Sequence, residues 1–489
     1  MNEESLGTLW RWVDPRLARS GDGGVVVGAL LAGVSADLAV RSGGGLSAAI
    51  LVFVVAAAFL VVGRPSSWQS RGLFVVSATF GGFLALRSSP WLVPLDVLAI
   101  AALLVLGASL AGGGSIFDLP LSGLLARVVH ALVHGVGAPA FAVRGLPWMR
   151  SGSGAEQQTW MAVLRGLGLA VPLLVVLGAL LGSADILFAR AFDFVPDLED
   201  SIAHAVLIGL GAWGMAGLVR VAAATPPASV PQRFPLLGGV EATVVLTSVI
   251  VLFAGFAVTQ IVALAGGGRH VVETAGLTYA EYARSGFFQL VAVAAIALAV
   301  LLTVDAFTGS STGRDRRRLV LLSEVVVALT LVVVVSALRR LDLYENAYGL
   351  TMLRLYAAVF VGWTGVSLLL LGAWILKGGG RAWFPTAAVA AGLVVILALN
   401  IVNPEAVVVR RNVALAEETG RFDPGYVLWL SDDAVPEMVR TLPRLPATVQ
   451  ANLLSVICSS PPRTTRGWAA WNAAHRAADD ARRQVCPTR

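Results

Sequence analysis

Apolar stretches of membrane-crossing length recur along this chain, separated by short charged loops. Leu46 to Val62, LSAAILVFVVAAAFLVV, contains no charged residue, and Val325 to Leu338, VVVALTLVVVVSAL, has the same character. The pattern predicts eleven spans, at 23–40, 46–62, 72–86, 91–110, 160–182, 201–219, 237–265, 286–304, 319–338, 355–376 and 383–402. A soluble core cannot absorb eleven such segments, whereas a bilayer can. Lipid offers no water to an open amide, so each span must close its own backbone bonds as a helix. The expected fold class is all-α: a polytopic transmembrane helix bundle followed by a small, mostly helical soluble tail. Five regions follow: a cytoplasmic N-terminus (1–22), spans one to four (23–110), a cytoplasmic linker (111–159), spans five to eleven (160–402) and an extracytoplasmic tail (403–489).

Composition agrees with the pattern. Hydrophobic residues make up 57% of the chain and charged residues 13%, about half the usual globular share. The net charge of +6 comes without dense basic runs interleaved with aromatics, so it reads as topogenic and no nucleic-acid partner is expected. With the N-terminus in the cytoplasm, the loops then inside carry sixteen basic residues: Arg11, Arg16, Arg19, Arg64, Arg71, Arg127, Arg144, Arg150, Arg220, Arg233, Arg314, Arg316, Arg317, Arg318, Lys377 and Arg381. The loops then outside carry eight: Arg41, Arg87, Arg190, Arg269, Arg284, Arg339, Arg340 and Arg354. This two-to-one bias predicts a multi-pass plasma-membrane protein with its tail outside.

The linker holds a different pattern. Leu121, Leu124, Leu125, Val128, Val129, Leu132, Val133 and Val136 fall on one helical face, and Ser122, Arg127, His130 and His134 on the other. An amphipathic helix lying in the cytoplasmic interface is expected, its histidines on a solvated face; a metal held by His130 and His134 lacks a third ligand nearby. In the tail, helical patterns fit 405–418, 447–457 and 465–484. Its Cys458 and Cys486 are the only cysteines. Outside the cell they are candidates for a disulfide; in the cytoplasm they would remain thiols.

Four stretches carry a resemblance. They are Leu237 to Gln260 with Glu241 early, TYAEYARSGFFQL from Thr278, LRRLDLYENAYGLTMLRLY from Leu338, and NPEAVVVRRN from Asn403 together with LSDDAVPEM from Leu430. Together they resemble a bacterial multi-pass membrane family, a domain of unknown function of the 4153/4173 type. The resemblance implies a membrane protein and brings no reaction, cofactor or catalytic residue with it.

Candidate functional residues cluster in two groups. Tyr279, Glu281, Tyr282, Arg284, Asp342, Tyr344, Glu345, Tyr348, Arg354 and Asn403 fall in or beside loops assigned outside. They are expected either to form an aromatic belt with helix caps or to line a polar vestibule roofed by the tail. Arg165, Glu241, Asp305 and Glu324 lie near the inner ends of spans, either paired or snorkelling. No ionisable residue sits at the centre of an assigned span, which argues against an ion-coupled transporter. Asp432 and Asp433 read as caps of the helix that follows them. No HExxH, nucleophile elbow or Walker loop is present, and no catalytic residue, metal site or cofactor is assigned. Three function classes remain: a structural, sensory or accessory protein binding a ligand, lipid headgroup or envelope partner; a transporter, channel or lipid flippase; and a lipid-handling enzyme at the outer face.

Overall fold

The computed structural model describes residues 23–139, 198–224, 237–265, 287–308, 313–378, 383–420, 422–427, 429–459 and 467–486, with single positions between 159 and 177. The expected span at 160–182 lies largely outside the described residues. Helices replace every other apolar stretch: α1 (Gly23–Arg41), α2 (Leu46–Val62), α3 (Trp68–Leu86), α4 (Val93–Ser109), α5 (Leu121–Val136), α6 (Leu198–Ala223), α7 (Gly239–Ala265), α8 (Phe287–Phe307), α9 (Arg314–Tyr348), α10 (Met352–Leu376) and α11 (Trp383–Val402). Seven of the described helices are long and apolar enough to cross a membrane; α2 and α4 are apolar but shorter, at 17 residues each. The tail adds α12 (Pro404–Thr419), the single turn α13 (Pro424–Val427), α14 (Val435–Thr441), α15 (Ala447–Ser459) and α16 (Ala473–Val485). The architecture is all-α, and the chain is an integral membrane protein.

Two compact units are built from these elements. The first contains α1 to α4, most of α5, α6, and the tail up to Arg476 from Pro462. Here α1 packs along α6 so closely that a Cβ at Gly33 would lie 2.3 Å from the Ile208 carbonyl oxygen. Small residues permit this approach, the usual basis of helix association where lipid is as apolar as the side chains. Asp37 and His204 pair at 2.7 Å and Arg41 and Asp200 at 3.1 Å where α1 ends and α6 begins.

The helix α5 corrects the solvated-face expectation. Its Leu125, Val128, Val129, Leu132 and Val133 are exposed, while Arg127 and His134 are buried. Arg127 donates to the Ser109 carbonyl, Trp213 Nε1 to the Gly135 carbonyl at 2.6 Å, and Arg220 to the His134 carbonyl at 2.9 Å. The polar face thus satisfies backbone at helix ends, and the apolar face is left outward. Burial, with His130 and Arg220 beside it, pushes His134 down to about 4, so it is a neutral imidazole whose ring lies tilted against that of His130, with centroids 4.1 Å apart.

In the second unit α9 is the hub, touching α7, α8 and α10. At 35 residues it is about 52 Å long, more than a hydrocarbon core of about 30 Å, so part of it must extend beyond the lipid, and the expected span of 319–338 leaves its last turns outside. One end of this unit is tied by a bridge between Leu237 and Thr308 and by Arg316 donating to the Gly378 carbonyl. The other end carries the α9–α10 elbow, the α11–α12 junction and the tail.

Candidate functional site

The site is the elbow between α9 and α10 and the part of the tail fastened to it. Gly349 turns the chain with φ 78°, a conformation that disfavours side chains, and a Cβ there would meet Asn412 Oδ1 at 2.6 Å. Thr351 then caps α10 by accepting from the Arg354 amide. Two tail side chains complete the arrangement. Asn412 Oδ1 accepts the Leu350 amide at 2.7 Å, and its Nδ2 donates to the Leu350 carbonyl at 2.9 Å. The Tyr426 hydroxyl accepts the Met352 amide at 2.6 Å. Leu350, Met352 and Val408 bury themselves beneath these bonds. An elbow has backbone groups that no helix satisfies, and here one tail amide and one tail phenol supply the partners.

Tyr344, Tyr348 and Arg354 are in contact through the Tyr344 ring. The Arg354 guanidinium lies over the Tyr344 ring at 3.8 Å, and the Tyr348 ring meets Tyr344 edge-on with centroids 5.2 Å apart. Arg354 also donates to the Gly349 carbonyl. Half-buried Glu345 is held above the ordinary carboxylate range, first by burial and then by Asp342, against the pull of Arg411 and Arg354. Asp342, Asn346 and Tyr348 are exposed. Burial also pushes the Tyr426 phenol upward, so it stays a neutral hydrogen-bonding group.

Asn403 has a different post. It sits in the left-handed region at φ 58°, which asparagine tolerates, and breaks α11 from α12. Its Oδ1 caps α12 by accepting the Ala406 amide at 3.2 Å, and its Nδ2 donates to the Asp433 carbonyl at 2.8 Å. Glu405, only 1% exposed, accepts from the Ser431 amide at 2.6 Å and the Ser431 hydroxyl at 2.7 Å. Asp432 and Asp433 do not cap α14: Ala434 takes the cap position with no side-chain bond, and both acids are buried. Asp432 instead pairs with Arg482 at 2.6 Å, which also holds Asp479 at 3.0 Å. Arg410 and Arg440 converge on buried Glu437 at 3.2 and 2.5 Å. Cys458 and Cys486 are joined by a disulfide across a separation of 28 residues.

The first unit receives its own part of the tail. The Leu46 amide donates to the Trp471 carbonyl at 2.8 Å, and Asn472 Nδ2 donates to the carbonyls of Leu84 and Arg87 at 3.2 and 3.0 Å.

Tyr279, Glu281, Tyr282, Arg284 and Arg165 lie outside the described residues. Of the other inner-end charges, Glu241 is exposed at the start of α7 and Asp305 is half-buried on α8. Glu324 rests against the bare backbone of Gly372, where a Cβ would meet its Oε2 at 3.1 Å. Its buried Oε1 has no hydrogen-bond partner among the described residues. Asn412, Glu405 and Tyr426 at the elbow, and Asn472 in the first unit, are residues that pattern reading missed. Their only signal was membership of the stretches carrying the family resemblance, which covers Asn412 and Glu405 and leaves out Tyr426 and Asn472.

No curated protein and no solved structure matches this chain. The family model described as "Domain of unknown function (DUF4153)" matches residues 72–441, most of the chain and every bond of the elbow site. The chain therefore belongs to the DUF4153 family.

Proposed function

We propose that the protein is a structural, sensory or accessory component of the plasma membrane. Its tail is a fixed extracytoplasmic cap, and the exposed edge of Asp342, Asn346 and Tyr348 beside Glu345 binds a polar ligand, lipid headgroup or envelope partner. The observation that carries this reading is the double bond between Asn412 and Leu350, backed by Tyr426 on Met352. These spend the polar groups of the elbow on holding the tail in place, which suits a scaffold more than a moving gate. The sidedness rests on the arginine bias of the loops. Cysteine introduced at exposed Glu418 is expected to react with an impermeant maleimide in intact cells, and reaction only after lysis would reverse the orientation. For the binding role, material copurifying from native membranes is compared by mass spectrometry between the wild type and Asp342→Asn/Glu345→Gln. Loss of a copurifying species is expected, and an unchanged set would end this reading.

One observation favours the transport class as a second reading. Glu324 is a carboxyl on the hub helix whose buried Oε1 has no hydrogen-bond partner among the described residues, and ionisable groups within membrane segments often mark ion pathways. Glu324→Gln is the discriminating variant: a change in ion flux across proteoliposomes supports transport, and identical flux removes it.

A further inference from the structure

Each unit holds one strongly exposed tryptophan of the tail close to the ends of membrane helices. Trp429 is 85% exposed. It stands three residues after Tyr426, which is bonded to the head of α10, and two before Ser431, which is bonded to Glu405 just beyond α11. A chain advances at most about 3.6 Å per residue, so Trp429 lies within about 7 Å of Ser431. At the same end, Ile401 and Val402 finish α11 exposed and Leu353 opens α10 exposed. Trp468 is 66% exposed. It begins the short turn in which its carbonyl accepts the Trp471 amide at 3.2 Å, and Trp471 in turn touches Leu46, the first residue of α2. Beside this turn a cleft of about 460 Å³ is lined by Val40, Arg41, Ser42 and Gly43 on one side and by Gly467, Ala469 and Ala470 on the other.

A large indole left in bulk water is an unfavourable use of apolar surface, whereas the headgroup layer accepts both its ring and its N–H. That layer adds about 5–7 Å to each side of the hydrocarbon core, room enough for an indole held a few residues from a helix end. Continuity with the lipid-facing residues Ile401, Val402 and Leu353 selects lipid over a soluble protein as the occupant. We infer that Trp429 and Trp468 are lipid anchors, each seating its own part of the tail in the headgroup layer of the bilayer. The inference is independent of which leaflet each anchor meets.

The test uses the full chain in phosphatidylcholine–phosphatidylglycerol vesicles. Trp429→Cys, Trp468→Cys and, as a reference on the exposed tail surface, Arg440→Cys are each labelled with bimane. A lipid carrying a nitroxide near its headgroup is expected to remove most of the emission at 429 and 468 and little at 440. Iodide supplied on both sides should do the reverse. Quenching of 429 and 468 by iodide as strong as at 440 would overturn the proposal, and so would protection from both quenchers, which would mean a protein cover. Retention of the Cys458–Cys486 disulfide, read by a thiol mass tag, certifies the fold of each variant. If either cysteine variant loses it, Trp429→Phe and Trp468→Phe take its place. Their expected result is a loss of intrinsic tryptophan quenching by brominated lipid, and unchanged quenching would count against the proposal.

Discussion

The helical bundle and the tail solve the same packing problem in opposite solvents. In α1 the large side chains Val27, Leu30, Leu31 and Val34 point outward, and the buried positions are Val25, Gly28, Ala29, Ala32 and Gly33. In the tail the large side chains turn inward: Val409, Val413, Met438, Leu442, Leu453 and Ile457 form one cluster. Charge follows the same inversion. The spans bury hydroxyls that return to their own helix, as Thr330 does to Val326 and Thr364 to Phe360. The tail buries one complete ion-pair group, Asp432–Arg482–Asp479, and the buried Glu437 is met by the exposed arginines Arg410 and Arg440. Where lipid is the solvent, cohesion comes from close backbone approach. Where water is the solvent, it comes from apolar burial, with charges admitted where an ion pair or hydrogen bonds meet them.

Perturbing the buried tail network should have the largest effect. Arg482→Leu leaves two buried carboxylates without the guanidinium between them and is expected to cost about 3–5 kcal/mol. A thermal melt of the detergent-solubilised chain would show it, and a loss below about 1 kcal/mol would mean that the pairs are wet. Next comes the lipid-side counterpart. Gly33→Leu drives a side chain into the Ile208 backbone and should cost about 3 kcal/mol, since overpacking a tight contact forces the backbone apart. Cysteine crosslinking between α1 and α6 would report the separation, and unchanged crosslinking would show that the contact is looser than drawn.

At the seam between the regions, Asn412→Leu strips both buried polar groups of Leu350 of their partner, an expected loss of about 2 kcal/mol. Protease sensitivity near Gly420 should rise if Asn412 fastens the tail. A smaller effect is one of pH. Glu345 titrates higher in the fold than in the unfolded chain, so its contribution to stability is greatest below the ordinary carboxylate range. That contribution is lost as pH rises through its raised value. Glu345→Gln should therefore flatten the stability profile on the alkaline side of pH 4.5, and a flattening only on the acid side would reverse the assigned cause. Smallest of all is Arg444→Ala. Its partner Glu417 is held low by that exposed guanidinium, yet both side chains are in water, so no measurable change in melting is expected.

Much of the fold was legible in the chain because hydropathy is a one-dimensional signal. The predicted bounds of 46–62 and 383–402 are the observed bounds of α2 and α11. The tail helix expected at 405–418 extends by one residue at each end, to Pro404 and Thr419. The site was less legible. Tyr344, Tyr348 and Arg354 could be grouped because they share a loop. Asn412, Tyr426 and Asn472 could not, because their partners are backbone groups 62, 74 and at least 385 residues away and carry no side-chain signature. The Asp432–Asp433 pair was misread for the same reason: a local capping rule cannot see an arginine 50 residues later.

By itself, then, the sequence determined the solvent of each segment. A run of apolar residues has no favourable state in water and no favourable state in lipid except a helix, so order, length and class of the elements follow from composition along the chain. Only the tertiary structure decided which face of α5 turns inward, which acids pair with which arginines, and where the tail comes to rest. Those outcomes depend on distances between residues far apart in the chain, and such distances are set by packing, which no local pattern encodes.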